Sequence, residues 1–388
     1  KPFSLLVKPA GADCNLSCTY CFYLRKGALY PGAKHRMSDG VLEALVRGYM
    51  ATEQPVYSFG WQGGEPTLMG LRFFRRVTEL QRRYGKPGSR VANGLQTNAT
   101  LIDDDFARHL AVHKFLVGVS VDGPAELHNR YRRKAGGSGT HETVMETVRR
   151  LRRHSVDVNA LVLVSQSNVK RVREVYDFLK EEGLLYQQYI PCVEFTPDGK
   201  PAPYAVSGHE WGEFLVELFD LWRASDTRRV SIRHLDALMA FLLDGSRQMC
   251  TMGGRCDDYF VVEHTGDVYP CDFFVEPELK VGNVVSDDWG VLSRQPVRGK
   301  FAAQKSDWAE LCRTCVHLPY CSGDCLKHRE HVPDGSGSWL CAGWKRFYDH
   351  AIPHLRKLAE SIARERGLHG PLWNPWEFDP DSPCYCGS

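Results

Sequence analysis

Six apolar runs rich in β-branched residues recur between residues 3 and 193, with an amphipathic stretch after most of them. The runs are FSLLVKP (3–9), VYSFGW (56–61), VANGLQT (91–97), KFLVGVSVD (114–122), VDVNALVLV (156–164) and LYQQYIPCV (185–193). The amphipathic stretches fall near 39–51, 70–84, 103–112, 140–153 and 168–182. Strand–helix alternation of this kind predicts a parallel sheet covered by helices. Six repeats predict an α/β fold, a partial (β/α)6 TIM-like barrel. Functional residues of such barrels collect on the loops after the strands, and the polar motifs obey that rule. Cysteines 14–21 follow the first run, QGGEP (62–66) follows the second, QTN (96–98) closes the third, and Ser120 and Asp122 close the fourth.

The pattern changes after residue 207. GHEWGEFLVELFDLWRAS and IRHLDALMAFLLDG read as helices. A cysteine-rich region follows, with turns such as EHTGDVYP and little periodicity, then a helix near 343–366 and a Pro-rich tail. The expected division is a partial barrel over 1–207, a helical connection over 208–249, a cysteine-rich domain over 250–347, and a C-terminal helix with its tail over 348–388. The formal net charge of +2 gives no reason to expect a nucleic-acid partner. No apolar run approaches the ~18 residues of a membrane span. Residue 1 is not followed by a signal-peptide pattern, so a cytoplasmic location is expected.

Fourteen cysteines in 388 residues are the compositional anomaly. Disulfide frameworks belong to small secreted domains, and clustered thiols in a chain of this size point to metal. The cysteines segregate into residues 14–21 and 250–341, with Cys192 between, where it reads as a strand-end packing residue, and Cys384 and Cys386 at the end. The first group, CNLSCTYC, has the spacing C-x3-C-x2-C. Four thiolates close a structural zinc site or an electron-transfer iron–sulfur cluster. Three leave a corner free, so a [4Fe-4S] cluster on Cys14, Cys18 and Cys21 would keep an open iron. A zinc site with a distant fourth ligand, or buried apolar cysteines, would use the same residues.

The motif resembles that of the radical S-adenosylmethionine (SAM) superfamily, including the aromatic Tyr20 before the third cysteine. The resemblance implies that the open iron chelates SAM, whose reductive cleavage yields a 5′-deoxyadenosyl radical. It further implies SAM contacts at Tyr20, at Gly64 of the GGEP segment, at Ser120 and Asp122, at Arg132 and at Val193. Arg132 suits the SAM carboxylate, which a guanidinium grips with two parallel bonds; RYRR taken alone is equally a solvated charge run.

The downstream run C-x2-C-x5-C-x3-C, from Cys312 to Cys325, resembles the core of the SPASM domain, which carries two auxiliary [4Fe-4S] clusters. The resemblance implies an interleaved ligand set. Cys250, Cys256, Cys271 and Cys325 hold one cluster, and Cys312, Cys315, Cys321 and Cys341 hold the other. Two zinc sites are the competing use of these thiols.

Longer matches run through SLLVKPAGADCNLSCTYCFY, FGWQGGEPTL, LQTNATLID, KFLVGVSVDGP, RVSIRHLDALM and CDDYFVVEHTGDVYPCDFFV. They resemble the anaerobic sulfatase-maturating enzymes, which oxidise a Cys or Ser residue of a sulfatase to formylglycine. The implied radical takes a Cβ hydrogen, Asp272 acts as the base, Tyr23 and Gln62 line the peptide site, and an auxiliary cluster takes the electron. The implied partners are a sulfatase-derived peptide and a flavodoxin- or ferredoxin-type electron donor. A radical SAM/SPASM maturase that forms thioether or carbon–carbon crosslinks in a ribosomal peptide is the alternative enzyme, and a zinc-binding scaffold the alternative without catalysis. The tail SPCYCGS resembles half of a small zinc motif, which Cys384 and Cys386 alone do not complete.

Replacing Cys14, Cys18 and Cys21 together with Ala is expected to abolish SAM cleavage while leaving about eight irons per chain, from two four-iron clusters. Iron analysis and deoxyadenosine assay of the anaerobically reconstituted variant check this; continued deoxyadenosine formation contradicts it.

Overall fold

The computed structural model describes residues 1–32, 34–332, 337–367 and 372–373; Cys384 and Cys386 lie outside them. The first half alternates as expected. In chain order it contains β1 (Ser4–Lys8), α1 (Asp39–Met50), β2 (Tyr57–Trp61), α2 (Gly70–Tyr84), β3 (Val91–Thr97), α3 (Asp104–Val112), β4 (Leu116–Ser120), α4 (Ala125–Tyr131), α5 (His141–Arg153), β5 (Asp157–Val164), α6 (Val172–Glu181) and β6 (Tyr186–Pro191). Adjacent strands pair in parallel from β1 to β6. Their apolar residues pack beneath the amphipathic helices in one continuous core. Local signals set the helix starts. Ser38 accepts from Val41 N and Asp103 from Phe106 N, each satisfying a donor that an α-helix leaves free at its N-terminus.

Then follow α7 (Gly208–Ser225), β7 (Ser231–Ile232), α8 (Arg233–Asp244), β8 (Tyr259–Glu263), β9 (Asp267–Tyr269) and β10 (Gly282–Asn283). The short helices α9 (Trp289–Ser293), α10 (Pro296–Ala303), α11 (Glu310–Arg313) and α12 (Leu318–Cys321) lead to the long α13 (Cys341–Glu365). Here the structure adds what the sequence pattern lacks. The segment around EHTGDVYP forms the β8–β9 hairpin, and β8 runs parallel to β1 with Val7 opposite Val262 and Lys8 opposite Glu263. The sheet order is therefore β10-β9-β8-β1-β2-β3-β4-β5-β6-β7. Part of the cysteine-rich region is built directly onto the barrel's first strand.

Helix α13 closes the far side by packing on α7 at backbone distance. A Cβ at Gly343 would lie 2.1 Å from the Gly208 carbonyl oxygen, and one at Gly212 would lie 2.7 Å from Gly343 Cα. Glycine at both positions lets Trp211 and Trp344 meet edge-on, with ring centroids 5.7 Å apart. Among the described residues, no helix is long and apolar enough to cross a membrane.

Gly343→Ala is expected to push α7 and α13 apart at a cost of about 1–3 kcal/mol and to lower the thermal midpoint by several degrees. Gly299→Ala in α10, where an added Cβ meets nothing within 4 Å, is the control. Equal midpoints for the two variants contradict the close packing.

Candidate active site

The loop carrying Cys14, Cys18 and Cys21 leaves the end of β1 and is held on both flanks by backbone bonds. On one side Ser17 N donates to Arg133 O (2.8 Å) and Thr19 N to Tyr131 O (3.1 Å). On the other, Gly64 N donates to Gly11 O (2.9 Å) and Glu65 N to Asp13 O (2.7 Å). A Cβ at Gly64 would sit 2.1 Å from Asp13 O. The GGEP glycines are thus required first by the contact with the cysteine loop's own backbone. The three thiols lie within electrostatic reach of one another. Cys18 is buried, Cys21 half-buried and Cys14 exposed. Burial pushes the Cys18 and Cys21 thiols up, so a cation must replace their protons before they act as thiolate ligands.

Beside this loop stands a buried polar triad. Tyr20 Oη donates to Asp122 Oδ2, and Arg132 Nη1 donates to Tyr20 Oη at 2.9 Å. Asp122 Oδ1 also accepts from Leu163 N (3.0 Å), so both of its oxygens are engaged within the protein. Burial raises the Asp122 pKa although Arg132 and the Tyr20 bond oppose it. Arg132 Nε is buried with no partner, a donor that fits an incoming carboxylate. Ser120 ends β4 opposite Leu161. Val193 is buried just past β6, and Cys192 packs with Leu16, Cys18 and Tyr20 against the cysteine loop.

Glu65 is a site residue the sequence reading passed over. It has no exposed surface. Its carboxylate accepts from Thr67 N (2.9 Å), Thr97 Oγ1 (2.8 Å) and Asn98 N (2.7 Å), tying the loops after β2 and β3. Asn98 Nδ2 in turn reaches Cys14 Sγ at 3.6 Å. An acid placed inside a Gly- and Pro-rich turn was the available signal.

The second centre is Asp272, next to Cys271 in the loop after β9. Tyr23 Oη donates to Asp272 Oδ2, and Gln62 Nε2 lies 3.5 Å from the same oxygen. Residues from three distant parts of the chain therefore converge on one carboxylate. Lys8 Nζ is 3.0 Å from Asp272 Oδ1 and also pairs with Glu263. Lys8 is 1% exposed and Glu263 3%, so this charge group has almost no solvent. Burial alone would lower the Lys8 pKa, but Asp272 and Glu263 raise it above the ordinary value. Burial and the Asp272 charge hold Tyr23 well above a normal phenol, which keeps it a hydrogen-bond donor. Lys8 and Glu263 were missed by sequence reasoning. Their signal was a charge closing each of two apolar runs, SLLVK and YFVVE.

Downstream, Cys312, Cys315, Cys321 and Cys341 line a single cavity together with His317, Asp324 and Trp344. Cys271 lies within electrostatic reach of Cys256 and of Cys325, and Tyr259 feels both Cys271 and Cys250. Cys325 is thus near Cys271 of the earlier group. Burial pushes Cys256, Cys321 and Cys325 up to about 12. Among the described residues, no three His, Cys, Asp or Glu side chains converge as ligands of one metal ion would.

A parallel sheet with a three-thiol loop after its first strand, extended by a thiol-rich region, defines a radical SAM enzyme. The Radical SAM superfamily matches residues 9–179, and an iron-sulfur cluster-binding domain, SPASM, matches residues 250–316. The chain is 36% identical over 368 residues to the cysteine-type anaerobic sulfatase-maturating enzyme of Clostridium perfringens, covering 93% of this chain and 99% of that one. It is 33% identical over 387 residues to the serine-type enzyme of Bacteroides thetaiotaomicron, covering 94% and 93%. It also superposes on native anSMEcpe with bound AdoMet and Cp18Cys peptide, with a TM-score of 0.86 at 35% identity, covering 93% of this chain and all of that one. The chain belongs to the anaerobic sulfatase-maturating enzyme family.

Tyr20→Phe removes the hydroxyl that joins Arg132 to Asp122 and leaves two buried charges misaligned. SAM affinity is expected to fall about tenfold, the equivalent of ~1.4 kcal/mol, with cluster content unchanged. Equilibrium binding of SAM to the reconstituted variant checks this, and an unaltered Kd contradicts it.

Proposed function

We propose that this chain oxidises a Cys or Ser residue in a peptide segment of a sulfatase to formylglycine. The observation that carries the reading is the convergence of Tyr23, Gln62 and Lys8 on Asp272, beside the three-thiol loop. The residues present fit the groups this chemistry needs. Three thiols within electrostatic reach of one another, an unpartnered Arg132 Nε and two further sets of cysteines suit SAM and three iron–sulfur clusters. Cys14, Cys18 and Cys21 would hold the SAM-binding cluster. Cys250, Cys256, Cys271 and Cys325 would hold one auxiliary cluster, and Cys312, Cys315, Cys321 and Cys341 the other. Tyr20, Gly64, Ser120, Asp122, Arg132 and Val193 would surround SAM. When bound, these groups supply an acceptor for the target's Cβ hydrogen atom and a sink for the remaining electron.

The chain's own residues then do three things. Lys8 engages Asp272 Oδ1 and leaves Oδ2 as the oxygen that meets the target. Tyr23 and Gln62 donate toward Oδ2 and fix its direction. Asp272 accepts the proton from the target Oγ or Sγ, a transfer that requires hydrogen-bond reach. Serine so oxidised gives the aldehyde directly, and cysteine gives a thioaldehyde that water converts to the aldehyde. Phe22, next to Tyr23, and Phe273, next to Asp272, bring their rings together with centroids 5.2 Å apart.

The electron donor is a flavodoxin- or ferredoxin-type carrier, and the setting is an anoxic cytoplasm. The barrel over 1–207 carries SAM, 208–249 connects, 250–347 holds the auxiliary clusters, and 348–388 comprises the C-terminal helix and the Pro-rich tail, most of which lies outside the described residues. Crosslinking of a ribosomal peptide is the less favoured reading, because relatives above 30% identity are sulfatase-maturating enzymes, whereas Streptococcus suis SuiB, at 16%, shares the fold alone. Incubating the reduced enzyme with Cys and Ser versions of a sulfatase motif peptide tests the choice. An aldehyde product supports the reading, and a product two hydrogens lighter without aldehyde overturns it.

Asp272→Asn keeps size and much of the hydrogen bonding but cannot accept a proton. Aldehyde formation is expected to fall by roughly 10²–10⁴-fold, while SAM cleavage survives. Deoxyadenosine and aldehyde measured in one anaerobic assay separate the two. Near-normal aldehyde yield removes Asp272 from the mechanism, and loss of both products assigns it a structural role in the Cys271 loop.

A further inference from the structure

Four buried polar atoms without hydrogen-bond partners belong to residues lining one cavity. They are Trp211 Nε1 from α7, His234 Nε2 from α8, Trp344 Nε1 from α13 and Asp324 Oδ1 from the turn between Cys321 and Cys325. The cavity, about 70 Å³, lies where these elements meet β6 and β7. Leu215, Leu218 and Phe347 supply apolar walls. Trp211 and Asp324 are each 2% exposed, and Trp344 is 8%.

One unpartnered buried donor or acceptor costs about 1–3 kcal/mol. Four around one void form a set that matches an occupant able to donate and accept in several directions. The two indoles only donate, Asp324 Oδ1 accepts, and the His234 nitrogen does either when neutral. Burial pushes His234 down to about 4, so it stays neutral over the physiological range. Water meets these demands, and at a liquid share of ~30 Å³ per molecule the cavity holds on the order of two.

The position of the cavity gives it a consequence. Asp324 and Trp344 line both this cavity and the one formed by Cys312, Cys315, Cys321 and Cys341. They form a shared wall, whereas Trp211 and His234 line the first cavity only. Dipoles and hydrogen bonding around a cluster set its reduction potential.

We propose that Trp211, His234, Asp324 and Trp344 hold a permanent cluster of ordered water, and that this water is the polar wall that raises the reduction potential of the adjoining auxiliary cluster. The second half rests on the reading that a cluster occupies the Cys312–Cys341 site.

An anaerobic crystal structure of the intact protein tests the first half. Ordered waters within hydrogen-bond distance of the four atoms are expected, and a dry cavity or density for an organic ligand overturns it. Trp211→Phe and His234→Leu test the second half, since neither residue lines the cysteine cavity. Each variant is expected to keep its full iron content, to lose ordered water, and to shift the midpoint potential of that cluster negative in an EPR-monitored redox titration. An unchanged potential in a variant that has lost the water overturns it. Trp211→Phe preserves the ring beside Phe214 and serves if the histidine variant does not fold.

Discussion

The ammonium group of Lys8 is the contact on which the site depends. It lies inside the sheet at the end of β1, opposite Glu263 on β8, and reaches Asp272 beyond β9. Buried charges are tolerated when they are paired, and removing one partner typically costs 3–5 kcal/mol. The three groups must therefore stay together, and they come from the barrel's first strand and from the cysteine-rich region. One ion-pair network thus fastens the two halves of the chain and fixes the carboxylate proposed to take the target's proton. Two carboxylates share one ammonium, and the Asp272 oxygen that Lys8 does not engage faces Tyr23 and Gln62.

A second constraint acts on the cysteine loop. Its backbone is bonded to the segment after α4 on one side and to the GGEP turn on the other. Glu65 ties that turn to the end of β3, and Asn98 at that end reaches Cys14. Asp122 after β4 and Arg132 after α4 hold Tyr20 of the loop. Three thiols on an irregular loop are in this way tied to the ends of β3, β4 and α4. Burial disfavours the thiolate at Cys18 and Cys21.

The barrel was legible because buried parallel strands and covering helices leave different periods in the sequence. The three thiols were legible from spacing alone. The convergence of Tyr23, Gln62 and Asp272 was visible only through resemblance, since Asp272 lies 249 positions from Tyr23 and no local pattern records such a contact. The β8–β9 hairpin escaped because strands of five and three residues around a tight turn carry little periodicity. Asp122 was singled out as a cofactor-site residue, and the structure adds that its two oxygens are bonded to Tyr20 and to β5. Residue type does not reveal which hydrogen bonds a side chain has already made. Trp211, His234 and Trp344 lie in stretches that the sequence marks only as helices, and the packed structure shows that their side-chain nitrogens are left without partners.

The most direct test of the central claim is the distance from Asp272 Oδ2 to the target atom in an anaerobic crystal structure of this chain with SAM and a sulfatase-derived peptide. The target Oγ or Sγ is expected within hydrogen-bond reach of Oδ2, with Lys8 still on Oδ1 and the target Cβ turned toward the Cys14–Cys21 loop. A target side chain beyond hydrogen-bond reach of Asp272, or an Asp272 carboxylate turned away from Lys8 once the peptide is bound, would contradict it.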